Sequence, residues 1–164
     1  MKITTTYAVE AAKAFAGLAS GKDAFQFVFV SGDGATSEPG ALTPLYARIK
    51  GEAEVALAEV RKATPQLHAN SVRPGFVDWA GHDAIIPYIS PRPMMKQAAI
   101  TLLGPVFRAA LPGRCSPTQP LGRFLAETAM GKWEEKMAGP GIEKIGDLCV
   151  ISNSDFRRLS GLDP

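Results

Sequence analysis

Phe25-Gln26-Phe27-Val28-Phe29-Val30-Ser31-Gly32 is an apolar run that stops on turn residues. Apolar and polar positions hardly alternate in it, so the strand it predicts needs cover on both faces, as in a parallel sheet. Ser31-Gly32-Asp33-Gly34 closes the strand. Downstream, Thr43-Pro44 offers an N-cap with proline at the first helical position. The spacing of Leu45, Ile49, Ala53, Leu57 and Val60 predicts a helix from Pro44 to about Ala63, stopped by Pro65. Leu67-His68-Ala69-Asn70-Ser71-Val72 then reads as a second strand, ended by Pro74-Gly75. A strand, a long crossover and a strand form a unit that pairs parallel.

On the N-terminal side, Tyr7, Ala11, Ala14, Phe15 and Leu18 recur at helical spacing over Thr5 to Leu18, with Gly21 placed to end the helix. On the C-terminal side, Trp79 to Pro120 is rich in proline and apolar residues and holds one helix, Met94 to Ala109. An ordinary core helix is the favoured reading of that segment, over a substrate lid or an interfacial helix. Helices at Pro120 to Met130 and Trp133 to Met137 and a short strand within Asp147 to Ser152 follow, with no internal repeat. The expected architecture is one α/β domain over residues 1–164. Its strand-helix-strand core spans 1–77, and a helical substrate or lid region spans 78–164.

Composition narrows the function. The 164 residues suffice for one domain with a core, and 46% apolar with 21% charged residues describes a folded chain. A net charge of +2 with no basic stripe argues against nucleic-acid binding. Gln97 to Ala110, interrupted by Gly104, Pro105 and Arg108, falls short of the ~20 residues a bilayer crossing needs. Glu10 and Lys13 interrupt any signal-peptide core, so the expectation is a cytoplasmic protein without a membrane span. Cys115 and Cys149 have no metal-ligand spacing and read as buried reduced thiols rather than a disulfide. Asp78, His82 and Asp83 read as a solvated loop rather than a metal site, and His68 as a core or edge histidine. Val30-Ser31-Gly32 lacks the preceding glycine of a nucleophile elbow.

The group that carries chemistry is Tyr46-Ala47-Arg48-Ile49-Lys50, where a spacing of four puts phenol and amine on one helical face. A phenol with an unperturbed pKa of about 10 works near neutrality only if neighbours stabilise its anion by about 4 kcal/mol. One exposed lysine is too little, so the site must be partly buried and occupied by cofactor. In an open parallel sheet, ligands bind beyond the carboxyl ends of the strands. That rule places Ser31, the helix start and the Arg73-Pro74-Gly75 turn around one crevice.

Val30-Ser31-Gly32, Tyr46-x-x-x-Lys50 and Arg73-Pro74-Gly75, in this order, resemble the second-half motifs of the short-chain dehydrogenase/reductase superfamily. The resemblance is to its extended or atypical, epimerase-like branch, and it covers Tyr7 to Val77 well and the rest loosely. It implies a truncated Rossmann-like domain and NAD(P)-dependent oxidoreduction of a small carbonyl or alcohol metabolite. Tyr46 would be the general acid/base, while Lys50 would bind the nicotinamide ribose and lower the phenol pKa. Ser31 would orient the carbonyl, and Pro74 and Gly75 would lie against the nicotinamide of NAD or NADP.

The chain also departs from that family. No strand with a glycine-rich phosphate turn precedes Phe25, and Gly32 to Ser37 reads as a substrate-side loop because Pro39 and Gly40 intervene before the helix. The Phe25–Val30 edge would then lie open. A partner chain, self-association into a homo-oligomer or a rearranged N-terminal helix would cover it, or the chain comes from a shortened or incomplete gene. Two alternatives stand beside the oxidoreductase: a non-catalytic remnant that binds or regulates a partner, and an isomerase or cyclase that uses Tyr46 without hydride transfer.

Overall fold

The computed structural model describes residues 3–19, 24–90 and 94–163, apart from the side chains of 94–99. In chain order, helix α1 (Thr6–Ala16) leads to strand β1 (Phe25–Val30), helix α2 (Leu45–Ala63) and strand β2 (Leu67–Val72). Strand β3 (Phe76–Asp78), helix α3 (Met94–Ala110), strand β4 (Cys115–Pro117) and helix α4 (Thr118–Ala129) follow. Helix α5 (Glu134–Ala138), strands β5 (Glu143–Ile145) and β6 (Leu148–Ile151) and helix α6 (Asn153–Leu159) come last. Short 3-10 turns lie at Asp83–Tyr88 and Pro112–Arg114.

The fold is mixed α/β, built on a short, mostly parallel sheet in the order β1-β2-β6-β5. β1 pairs with β2 in parallel from Phe25↔Leu67 to Val30↔Val72. β2 pairs with β6 in parallel from Asn70↔Cys149 to Val72↔Ile151, and only β5 runs antiparallel. β3 and β4 form a separate parallel pair. The sheet therefore draws strands from both sides of residue 77.

Alternation along β2 and β6 divides the core. Leu67, Ala69, Leu148 and Val150 pack with Ala12, Ala16, Leu57, Ala58 and Val60 beneath α1 and α2. Val72, Cys149 and Ile151 pack on the opposite face with Leu121, Phe124, Met137 and Phe156 of α4, α5 and α6. Phe124 and Phe156, both fully buried, meet edge-on at 5.4 Å. Burying each such ring stabilises the fold by roughly 1.5–3 kcal/mol. α6 starts on a capping box, with Ser152 and Asp155 exchanging side-chain and backbone hydrogen bonds. Both cysteines are free and buried, and burial pushes both thiols above their ordinary pKa.

Four details differ from the sequence expectations. α1 closes through Gly17 and Leu18 N–H groups bonded to Ala14 and Phe15, whereas Gly21 lies outside the described residues. Its buried residues are Ala12 and Ala16, so Tyr7 and Leu18 of the expected stripe are exposed, and Phe15 stacks on Phe25 at the rim. Thr43 does not cap α2; its hydroxyl accepts from Gly40 N–H, and the cap position is Pro44. Over its described side chains α3 is not a core helix: Leu102, Leu103 and Val106 face solvent, while Phe107 packs on Phe76 and Arg108 pairs with Asp78. Among the described residues no helix is long and apolar enough to cross a membrane.

The loop from Ser31 to Gly40 lies directly on α2. Thr36 N–H donates to Ala47 carbonyl at 3.3 Å, and a methyl group at Gly51 would overlap the Thr36 carbonyl. The obstacle is backbone rather than a flexible side chain, so a substituent there displaces the loop. Gly51→Ala is expected to destabilise the protein by about 1–3 kcal/mol despite alanine's better helix propensity, measured by chemical denaturation. Equal or greater stability would mean that the loop does not sit on this helix.

Candidate functional site

At the carboxyl end of β1 the backbone turns away from the sheet. Ser31 N–H donates to Val72 carbonyl at 2.8 Å, and Asp33 N–H to Pro74 carbonyl at 2.9 Å. These two bonds clamp the loop after β1 to the turn after β2. The first turns of α2 approach the same loop. Tyr46 hydroxyl donates to Asp33 carbonyl at 2.6 Å, and Lys50 Nζ donates to Val30 carbonyl at 2.8 Å. The two accepting carbonyls flank Ser31 in the chain, so the structure brings Ser31, Tyr46 and Lys50 to one strand end.

Their environments differ. Tyr46 is 55% exposed, whereas Ser31 is 8% exposed and its hydroxyl is buried without a hydrogen-bond partner. An unpaired buried hydroxyl costs free energy, and such groups in native proteins call for an explanation such as a site for a ligand. Lys50 lies 4.8 Å above the Phe29 ring. Burial pushes its ammonium below the ordinary lysine range, opposed by the charge of Glu54 one turn further along α2.

Pro74 and Gly75 are engaged within the protein. Pro74 carbonyl receives Asp33 N–H, and Gly75 N–H donates to Ser116 Oγ at 2.9 Å and Asn153 Oδ1 at 3.3 Å. A side chain at Gly75 would overlap the Arg114 carbonyl. Arg114 in turn reaches Asp33 Oδ2 at 3.2 Å. The bare backbone of Gly75 thus admits the Pro112–Arg114 turn.

Sequence reasoning missed Glu54. It is completely buried and accepts Arg73 Nε at 3.0 Å, Arg73 Nη2 at 2.6 Å and Ser71 Oγ at 2.8 Å. Arg73 Nη1 also donates to Glu143 on β5 at 2.8 Å. Burial opposes the Arg73 charge, but Glu54 and Glu143 outweigh it and hold the guanidinium pKa above its ordinary value. The available signal was a carboxylate beside Ala53 and one turn before Leu57 of the apolar stripe of α2.

The other candidates have structural partners. Asp78 pairs with Arg108 at 3.2 Å, His82 bonds Thr118 at 2.9 Å, and His68 pairs with Glu134. Among the described residues, no three His, Cys, Asp or Glu side chains gather as a metal site would require.

A dinucleotide does not fit these residues as they stand. The unpaired Ser31 hydroxyl suits a ligand at the carbonyl end. However, Gly75 is covered by the Arg114 carbonyl, and Lys50 Nζ already donates to the Val30 carbonyl.

No family model and no solved structure matches the chain. It is 46% identical over 156 residues to botcinic acid biosynthesis cluster B protein 16 of Botryotinia fuckeliana (strain B05.10). That alignment spans 94% of this chain and 99% of the relative. The chain belongs to the family of cluster B protein 16. The alignment covers nearly the whole chain of this family member rather than the strand-helix-strand core alone.

Two predictions follow from the charges around α2. Glu54→Gln leaves Arg73 without its buried counter-ion and should cost about 3–5 kcal/mol, whereas Glu143→Gln at the exposed end should cost about 1 kcal/mol or less. Denaturant titration of both variants measures this, and equal costs would contradict the burial argument. Lys50 has a folded-state pKa below its ordinary 10.5, so the unfolded chain binds that proton more tightly. Stability from this group therefore rises with pH through the lowered value and levels off above 10.5. In paired melts of Lys50→Met and wild type, the difference should move in favour of wild type as pH increases; a pH-independent difference rules this out.

Proposed function

We propose that the protein is a carbonyl-directed acid-base catalyst of short-chain dehydrogenase/reductase type, with a truncated Rossmann-like fold, acting on a small metabolite. The observation that carries this reading is the convergence of Tyr46 and Lys50 on the two carbonyls flanking Ser31. Three parallel strands, with the Tyr-Lys helix as the crossover between the first two, support the fold assignment. The relative's name places that protein in a biosynthesis cluster, which supports a metabolite as substrate.

Tyr46 hydroxyl holds a donor bond to the Asp33 carbonyl, and a substrate carbonyl oxygen takes the place of that acceptor. The proton passes from Tyr46 Oη to the substrate oxygen as negative charge develops there, or returns in the reverse direction. Lys50, one turn away, stabilises the phenolate left behind. Ser31 Oγ donates to the same oxygen and so gains the partner it lacks. In an oxidoreductase the hydride would come from NAD or NADP. Because the described residues do not cradle a dinucleotide, an isomerisation or cyclisation needing only proton transfer uses the same three groups.

A second reading rests on the sheet edge. β1 is an outer strand without charge or proline, and the exposed Phe15 and Leu18 of the preceding segment extend its apolar surface. These features favour a non-catalytic, partner-binding protein whose partner, or second copy, adds a strand to β1. Fluorescence titration with NADPH separates the readings: saturation at micromolar concentration supports the oxidoreductase, and no binding at millimolar concentration removes it. Tyr46→Phe should abolish turnover, by at least about 100-fold, with the circular dichroism spectrum unchanged. Turnover that survives the substitution eliminates the mechanism.

A further inference from the structure

At the end of the sheet away from Tyr46, the last turn of α2, the start of β2 and the β5–β6 hairpin enclose a cleft of about 380 Å³. This volume is in the range that takes a small organic molecule. Three cations line it: Arg61 and Lys62 from α2, and Lys144 from β5. Elsewhere Arg73, Arg108, Arg114, Arg157 and Arg158 each meet a carboxylate within 3.2 Å. Among the described residues, no carboxylate pairs with Arg61, Lys62 or Lys144. Neutral oxygens hold two of them instead. Arg61 Nη1 donates to Ala69 carbonyl at 2.6 Å and Asn70 Oδ1 at 3.0 Å, and Lys144 Nζ to Ala138 carbonyl at 3.1 Å. These bonds place the charges without neutralising them, and they leave the Nε and Nη2 donors of Arg61 unused.

The cleft also has negative neighbours, and they are the weaker side. The carboxyl end of α2 carries roughly half a negative charge. Asp147, in the turn between β5 and β6, lines the cleft, while Glu134 is taken by His68. Cys149, buried beneath the cleft, registers the balance. Burial pushes its thiol pKa up, Arg61 and then Lys144 pull it down, and the upward effects of Glu134 and Asp147 rank behind both. The field in the cleft is therefore positive.

We infer that this cleft binds the phosphate of a small phosphomonoester. Such a group carries about −1.5 to −2 charges at neutral pH and three acceptor oxygens. That matches three cations less the charge of Asp147. A monocarboxylate brings one charge and two oxygens, and leaves one cation unanswered. The organic part of the ester lies against Pro65 and Ala138. The site is separate from Tyr46 and does not depend on the reading of that residue.

Isothermal titration calorimetry of the full chain in low-salt, phosphate-free buffer tests this. Phenyl phosphate is the probe, with benzoate and inorganic phosphate for comparison. Phenyl phosphate is expected to saturate one site and to bind at least about tenfold more tightly than either. Lys62→Met, which removes an exposed side chain, should weaken phenyl phosphate about tenfold. Lys13→Met, the same charge change on α1, should leave its affinity unaltered. Absence of saturable heat up to about 10 mM phenyl phosphate would overturn the assignment. So would benzoate or inorganic phosphate binding as tightly as the ester, or equal affinity in Lys62→Met and Lys13→Met.

Discussion

The two-pronged pair between Arg73 and Glu54 governs the geometry around it. Removing two charges from water costs several kcal/mol per ion, and their attraction repays this only when geometry and additional hydrogen bonds are favourable. Ser71 supplies one such bond to Glu54, and Glu143 supplies one to Arg73. The planar guanidinium fork accepts one orientation of the carboxylate, so it fixes the roll of α2 about its axis. Lys50 and Tyr46 lie one and two turns before Glu54 on the same helix, and that roll aims their polar tips at the loop after β1. A pair buried beneath the helix therefore positions the two groups that reach its surface.

Some of this was legible in the amino-acid order, for physical reasons. An apolar run bounded by turn residues, a helical crossover and a second bounded run leave few alternatives to a parallel pair, and β1, α2 and β2 fall as that pattern predicts. The phase of α1 was not legible because its buried face is made of Ala12 and Ala16, which contrast little in hydropathy with the exposed Tyr7 and Leu18. α3 is apolar around much of its circumference, so periodicity alone could not tell a core helix from a surface one. β3 and β4 are three residues each and find partners far along the chain, which leaves no local signature. At the site, the shared face of Tyr46 and Lys50 followed from helical spacing. Their acceptors did not, because those depend on the path of the loop across Ala47 and Gly51.

Gly75 shows how one residue type serves two ends. A glycine after a central parallel strand lets something approach the backbone closely. In the family the motif resembles, that neighbour is a cofactor; here it is the Arg114 carbonyl, with Ser116 and Asn153 holding the N–H. The turn after β2 thereby binds the C-terminal elements to the sheet, and Asp33 with Arg114 closes the arrangement on the solvent side.

The strand order also shapes how the molecule assembles. β2 lies between β1, made shortly before it, and β6, whose Cys149 partner for Asn70 lies almost half the chain away. A nascent chain can join the first two strands through a local crossover, but the far flank of β2 waits until Cys149 to Ile151 have been made. Closing so long a loop costs little more entropy than a shorter one, yet such distant contacts slow folding. During that interval the growing polypeptide displays two open strand flanks, each with unpaired backbone groups that another chain could meet.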